Sequence, residues 1–306
     1  MISLWSRFFS TLLVLFGVST LVFFLIHLVP GDPVQAMLGE NAAAADQQAL
    51  FIALGLDQPL WTQWWRFFSN TLQGDLGTSL YSKEPVTQLI LARLPTTALL
   101  AVAGLTVAIV LAVPLGSLAA LHQNRAWDDV AMTFAMLGVS IPNFLMGPLL
   151  ILIFALWLAW LPVSGYESLW SLVLPALTLG TALAAILSRM IRATLLEVLH
   201  EDYIRTAYAK GLNARQVILR HALPNAALPV ITILGLQLGT LLAGAVITEM
   251  VFSWPGLGQL TIEAIQRRDY PVVQGCVLLI SAVYVVVNSM TDMLYHWLDP
   301  RVRYHD

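Results

Sequence analysis

The chain has 306 residues, of which 58% are hydrophobic and 11% charged, and its mean hydropathy is +0.77. A soluble domain is about 45–50% apolar and about 25% charged, and a larger core would not remove the need for a charged surface, so the composition excludes a soluble fold and implies a lipid environment. The formal net charge of −3 argues against a nucleic-acid partner, and the single cysteine, Cys276, excludes an intrachain disulfide and a cysteine metal cluster.

Six stretches are long and apolar enough to cross about 30 Å of hydrocarbon: residues 8–29, 96–121, 131–157, 172–191, 228–252 and 272–297. The expected fold is therefore an all-α membrane protein with six transmembrane helices. The first stretch follows Arg7, but its apolar run is longer than that of a secretory signal. It ends in HLVPGDP rather than a small-x-small cleavage site, and so reads as an uncleaved anchor helix. Residues 30–95 follow as a long segment outside the membrane. Turn chemistry marks it at Gly31-Asp32-Pro33 and Gly74-Asp75-Leu76-Gly77. Between these turns, WTQWWRFFSN brings Trp61, Trp64 and Trp65 together, either in an ordered segment packed on the helices or in an interfacial helix. The ordered reading is preferred.

The third stretch contains Pro142 and Pro148, which a membrane helix tolerates when neighbours satisfy the freed carbonyls. Asn143, Gln237 and Asn288 are the polar candidates within the spans. Such side chains line a watery path or hydrogen-bond between helices. Arg189, Arg192, Arg205, Lys210, Arg215 and Arg220 gather between the fourth and fifth stretches, and Arg301 and Arg303 stand in the tail. The positive-inside rule then puts both termini in the cytoplasm and residues 30–95 outside. Trp157, Trp160, Trp170, Trp254 and Trp297 fall near span ends, as an aromatic belt does. By chain order the divisions are an anchor helix at 1–29, the external segment at 30–95, a five-helix core at 96–297 with a cytoplasmic loop at about 192–227, and a tail at 298–306.

The loop reads EDYIRTAYAKGLNARQVILRHALPN from Glu201 to Asn225. Glu201 and Asp202 suit a helix start and Lys210 its end. Gly211 is a natural left-handed cap, and Asn213 with Gln216 forms a capping-box pattern for a second helix, which Pro224 limits. Tyr203, Ile204, Ala207 and Tyr208 recur at one-turn spacing as an apolar face. That face either packs back on the membrane helices or meets another protein, with Ala207 small enough for close approach.

This loop resembles the EAA loop of ABC-importer permeases, with Arg205-Thr206-Ala207 at the E-A-A positions, Gly211 at the glycine, and His221-Ala222-Leu223-Pro224 at the closing I-x-L-P. Arg205, Thr206 and His221 depart from that pattern in the manner of the dipeptide, oligopeptide, nickel and glutathione permeases. HLVPGDP, LGLDQPL, GDLGTS, GVSIPNF, VFSWPGLGQL, RDYPVVQG and DPRVR extend the resemblance along nearly the whole chain. It implies a type I importer permease fold in a bacterial inner membrane. The implied partners are a second homologous permease in a heterodimer, two ATPase subunits and an external solute-binding protein. The helix before Gly211 would then be the coupling helix, with Tyr203, Ile204, Arg205, Thr206, Ala207, Tyr208, Gly211, Leu223 and Pro224 forming the ATPase contact region. Gly31, Asp32, Pro33, Trp61, Trp64 and Trp65 would serve as outer gate or binding-protein contact. The implied cargo is a short peptide, with glutathione or chelated nickel as alternatives.

No cofactor, metal or catalytic residue is expected in this chain. Lys83 and Lys210 are its only lysines and neither follows a phosphate loop, so ATP and magnesium belong to the partner ATPases. Two rival readings are an intramembrane serine protease, from Gly138-Val139-Ser140-Ile141 with His27 or His296 as base, and a secondary transporter. The latter requires ionisable groups deep in the spans, whereas Glu249 and Asp292 are placed nearer the span ends.

Overall fold

The computed structural model describes residues 4–24, 27, 33–38, 43–53 and 55–298. Among these the chain is helical apart from turns, loops and one isolated bridge between Thr78 and Pro85. In chain order the helices are α1 (Leu4–Phe24), α2 (Pro33–Leu38), α3 (Ala44–Ala53), α4 (Leu60–Leu72), α5 (Val86–Leu121), α6 (Ala126–Ser140), α7 (Asn143–Leu150), α8 (Val173–Leu199), α9 (Asp202–Ala209), α10 (Ala214–Val217), α11 (Leu223–Val251), α12 (Leu257–Gln266) and α13 (Tyr270–Leu298). π-helical turns follow α7 at Ile151–Trp157 and α10 at Ile218–Ala222.

Three of the described helices are long and apolar enough to span on their own: Val86–Leu121, Leu169–Leu199 (which includes the 3-10 turn before α8) and Tyr270–Thr291. Two bent pairs bring the number to five, and α1 contributes the shorter apolar helix Phe9–Phe24. The expected third span, 131–157, is not one helix. α6 and the α7 segment meet at 107°. The cause is local: Ile141 is extended at φ −92° and ψ 113°, the region into which a following proline ring pushes its neighbour. The other pair, Ala214–Ala227 and Pro229–Gly239, bends by 47° at the proline that lacks an amide donor.

The chain divides into two compact units, Met1–Pro95 with Gly256–Val286, and Thr96–Pro255 with Val287–Asp306. In the first, Val86, Ile90, Leu257, Leu260, Ala264, Val272 and Cys276 form the core. α4 lies against α1. Its Trp64 is 9% exposed, donates from Nε1 to Thr20 Oγ1 at 3.2 Å, and is flanked by Phe16 edge-on and Phe68 stacked. The aromatic segment is thus a helix that packs on α1 through Trp64, with Trp61 and Trp65 exposed. The turn at 78–85 is pinned to the start of α13, where Asp269 accepts the Ser79 hydroxyl and the amides of Leu80 and Tyr81.

In the second unit, α8 is the buried axis, with α6, α7 and α11 packed on it. It is apolar nearly all round, as a helix enclosed by others must be. α5 approaches it so closely that a Cβ at Gly116 would lie 2.6 Å from Ser188 O, and one at Gly180 2.6 Å from Val107 Cγ1. Small residues permit such contact between membrane helices, where dispersion replaces the hydrophobic effect. Arg189 and Arg192, expected in the loop, lie inside α8.

Trp254 departs from the aromatic belt. It is 1% exposed, donates from Nε1 to Thr96 O at 3.0 Å, and meets Tyr166 edge-on. Trp157, Trp160 and Trp170 are exposed as expected, and the Trp297 side chain is outside the described residues. Glu249 is also more enclosed than its place in the sequence suggested: it is fully buried and accepts the Thr97 hydroxyl at 2.7 Å.

Candidate functional site: the loop after α8

α9 starts at Asp202, with extended Glu201 as its N-cap and Lys210 as its C-cap. Gly211 takes φ +83°. Its amide bonds Tyr208 O at 2.9 Å and the Leu212 amide bonds Ala207 O at 3.3 Å. This is the paired pattern of a Schellman turn, in which glycine is favoured because it has no Cβ to strain. Asn213 and Gln216 then form a capping box: the Gln216 amide donates to Asn213 Oδ1 at 2.9 Å, and the Asn213 amide to Gln216 Oε1 at 3.3 Å.

Pro224 does not limit this second helix. α10 continues through the π turn at Ile218–Ala222 into α11, where Pro224 occupies the first turn. The proline lacks an amide donor, so the helix carries on there with one bond fewer.

The apolar face of α9 is divided between inside and outside. Ile204 (1% exposed) and Ala207 (6%) pack with Ala120, Leu195, Val217, Ala222 and Ala226 in the chain's own cluster. Tyr203 (40%) and Tyr208 (46%) are exposed, together with Arg205 and Thr206. Arg205 makes an exposed ion pair with Asp202 at 3.4 Å, and Thr206 donates its hydroxyl to Asp202 O at 3.0 Å. Leu223 is half-buried and Pro224 exposed. The outward surface of the helix is therefore Tyr203, Arg205, Thr206 and Tyr208, while Ile204 and Ala207 hold it to the unit.

One part of this support had no sequence signal. Arg192 on α8 grips Asp128 on α6 through two bonds, Nε to Oδ1 at 2.7 Å and Nη2 to Oδ2 at 2.6 Å. The Asn124 amide also donates to Asp128 at 3.0 Å. Sixty-four residues separate the partners, and only the helix pairing brings them together.

The three polar span candidates sit on separate helices. Asn143 opens α7 at the 107° break, Gln237 lies in α11 and Asn288 in α13, all half-buried. Asn288 Oδ1 is buried with no hydrogen-bond partner among the described residues. Of the external candidates, Trp61 and Trp65 are 71% and 57% exposed, whereas Trp64 is an internal anchor. Pro33 begins α2, and Gly31 and Asp32 lie outside the described residues. Ser140 donates its hydroxyl to Met136 O within its own helix. His27 pairs with Gln63 at 3.2 Å. The protease arrangement has no nucleophile–base contact among the described residues.

A largely apolar helical core with broken spans and a capped two-helix loop is the architecture of a polytopic membrane protein. Residues 112–304 match the family described as the inner membrane component of binding-protein-dependent transport systems, and residues 1–101 match the N-terminal family of the same components. The chain is 44% identical over 290 residues to the glutathione transport system permease GsiC of Escherichia coli O6:H1, covering 95% of each chain. It is 46% identical over 287 residues to that of Pectobacterium atrosepticum, covering 94% of each. A MetNI methionine ABC transporter structure shares the fold at a TM-score of 0.58 and 17% identity, over 69% of this chain and 97% of that one.

The chain belongs to the family of binding-protein-dependent inner-membrane transport components, the permeases of ABC importers in the peptide and glutathione group. As such it is a multi-pass inner-membrane subunit, non-catalytic itself, working with a solute-binding protein and a separate ATPase.

Proposed function

We propose that this permease carries short peptide-like solutes, with di- to tripeptides including glutathione as its cargo. The supporting observation is the 44–46% identity, over about 95% of both chains, to glutathione permeases. The largely uncharged spans fit a solute recognised mainly by its binding protein. Chelated nickel is the alternative cargo.

In this reading both termini are cytoplasmic, the chain pairs with a second homologous permease, and two ATPases bind ATP and magnesium. The outward face of α9 seats in an ATPase cleft, and Gly211, Leu223 and Pro224 set the angle at which the loop returns to the membrane. ATP-driven closure biases a bundle with two arrangements, which requires a contact that differs between them. Asn143, Gln237 and Asn288 are placed on the solute path, and the external segment, with Gly31, Asp32, Pro33, Trp61 and Trp65, at the binding-protein side.

The test is ATP-dependent uptake of labelled glutathione, dialanine and a nickel chelate by the complete transporter in proteoliposomes, with its binding protein enclosed on the substrate side. Saturable uptake of glutathione or dialanine is the expected result. Uptake of the nickel chelate alone removes the peptide reading.

A further inference from the structure

The first unit contains a cavity of about 590 Å³ between the end of α1, the turn after α3, α4, the turn at 75–77 and the start of α13. That volume suits a small solute, for which sites of about 300–1,000 Å³ are usual. Its charges are one guanidinium, from Arg66, and two carboxylates, from Asp57 and Asp75, set against the apolar rings of Phe23 and Phe67.

Arg66 is the unusual member. It has no ion pair or hydrogen bond among the described residues, and its Nη1 lies 3.4 Å from where a Cβ at Gly55 would stand. Gly55 takes φ +70° and ends α3 in a Schellman turn, with its amide on Ile52 O and that of Leu56 on Phe51 O. The same glycine closes a helix and brings the chain within ordinary contact distance of the guanidinium. One helical turn along α4, the Asn70 amide side chain also has no partner among the described residues. Asp57 and Asp75 each use one oxygen locally, on Gln58 Nε2 and the Gly77 amide, which leaves the other oxygen to accept. A lone anion would meet two carboxylates and a lone cation would meet the guanidinium, so a zwitterion matches the wall better than either.

We propose that this cavity binds a small zwitterionic solute of amino-acid to dipeptide size, with Arg66 holding its carboxylate through paired N–H donors and Asp57 or Asp75 receiving its ammonium group. This deepens, and rests on, the peptide-like cargo proposed above: the external segment would hold solute itself as well as meeting the binding protein.

The test uses the complete transporter in nanodiscs without its binding protein. Dialanine and its C-terminal amide are titrated by calorimetry against wild type, Arg66→Gln and Arg66→Lys, and uptake of dialanine by the same three proteins is measured in parallel in proteoliposomes supplied with the binding protein and ATP. The expected result is saturable dialanine binding that weakens about tenfold or more in Arg66→Gln and less in Arg66→Lys. The amide should bind wild type as weakly as dialanine binds Arg66→Gln. Arg66 makes no hydrogen bond or ion pair among the described residues, so an unchanged thermal midpoint is expected and checks that the variants are folded. Absence of saturable binding to wild type, or equal binding of dialanine and amide, overturns the site. Arg66-dependent binding without uptake by any variant supports the site and overturns the cargo reading, whereas uptake without binding does the reverse.

Discussion

Ser79 donates its hydroxyl to the carboxylate of Asp269, 190 residues further along the chain. Asp269 is 3% exposed and also collects the amides of Leu80 and Tyr81, while Arg267 covers the Tyr81 ring at 4.3 Å. The turn at 78–85 is thus held from the α12–α13 junction as well as by its own bonds, among them those from the Tyr81 and Ser82 amides to Ser79 Oγ. Asp269→Ala would take the acceptor from the buried Ser79 hydroxyl and from the Leu80 amide, while the Tyr81 amide keeps Ser79 Oγ. Hydrogen bonds to a charged group are worth about 1.5–3 kcal/mol, so the expected outcome is a thermal midpoint lowered by several degrees, with Ser79→Ala milder. A midpoint equal to wild type for Asp269→Ala would show that the turn holds without this carboxylate.

The Asp128–Arg192 pair supports a second prediction. Asp128 has a 5% exposed side chain and Arg192 a 26% exposed one, so removing the arginine strands a mostly buried charge. Breaking a fully buried pair costs about 3–5 kcal/mol. Partial exposure of Arg192 reduces this to about 2–3 kcal/mol. Arg192→Lys should recover only part, because an ammonium cannot make the two parallel bonds. Thermal unfolding of single and double variants checks this. The double substitution to Asn and Gln should be less harmful than Arg192→Ala.

α9 offers two classes of substitution with opposite readouts. Tyr208→Ala and Thr206→Arg alter the outward face and should weaken copurification of the ATPase while leaving the thermal midpoint unchanged. Ala207→Arg forces a long cation into the cluster of Ala120, Leu195 and Val217 and should first destabilise the loop. If Tyr208→Ala and Thr206→Arg both keep the ATPase and transport at wild-type rate, α9 is not the coupling contact.

Gly211→Val tests geometry rather than contact. A β-branched residue at φ +83° is strained, at a cost of about 1–3 kcal/mol. The α9 surface is retained but re-aimed. The expected result is normal membrane insertion, ATPase still bound, and transport reduced.

Topology is checked by single cysteines at Gln47 and Lys210 in a Cys276→Ser background. Cys276 is fully buried, so this background needs its own stability control. Position 47 should react with an impermeant maleimide from outside intact cells and position 210 should not. Labelling of position 210 from outside inverts the proposed orientation.

Local chemistry was written plainly in the chain. Apolar runs announced the membrane, and the span ends near residues 121 and 251 followed from where polar residues resume. The Gly211 cap and the Asn213–Gln216 box could be read in advance because each needs only residues within one turn of itself. Sequence also placed the loop motif and its family. Tertiary structure decided which side of an apolar stripe faces inward: Ile204 and Ala207 share spacing with Tyr203 and Tyr208, and only the position of Leu195 and Val217 separates them. It decided that Pro142 breaks a span rather than kinking it, since a run of apolar residues has the same composition straight or bent. It moved Trp254 from a presumed interface into the core, and it joined Asp128 to Arg192 and Ser79 to Asp269. Such pairings depend on how helices cross. No periodicity within one segment records that, because the partner supplying half of each bond lies tens to hundreds of residues away.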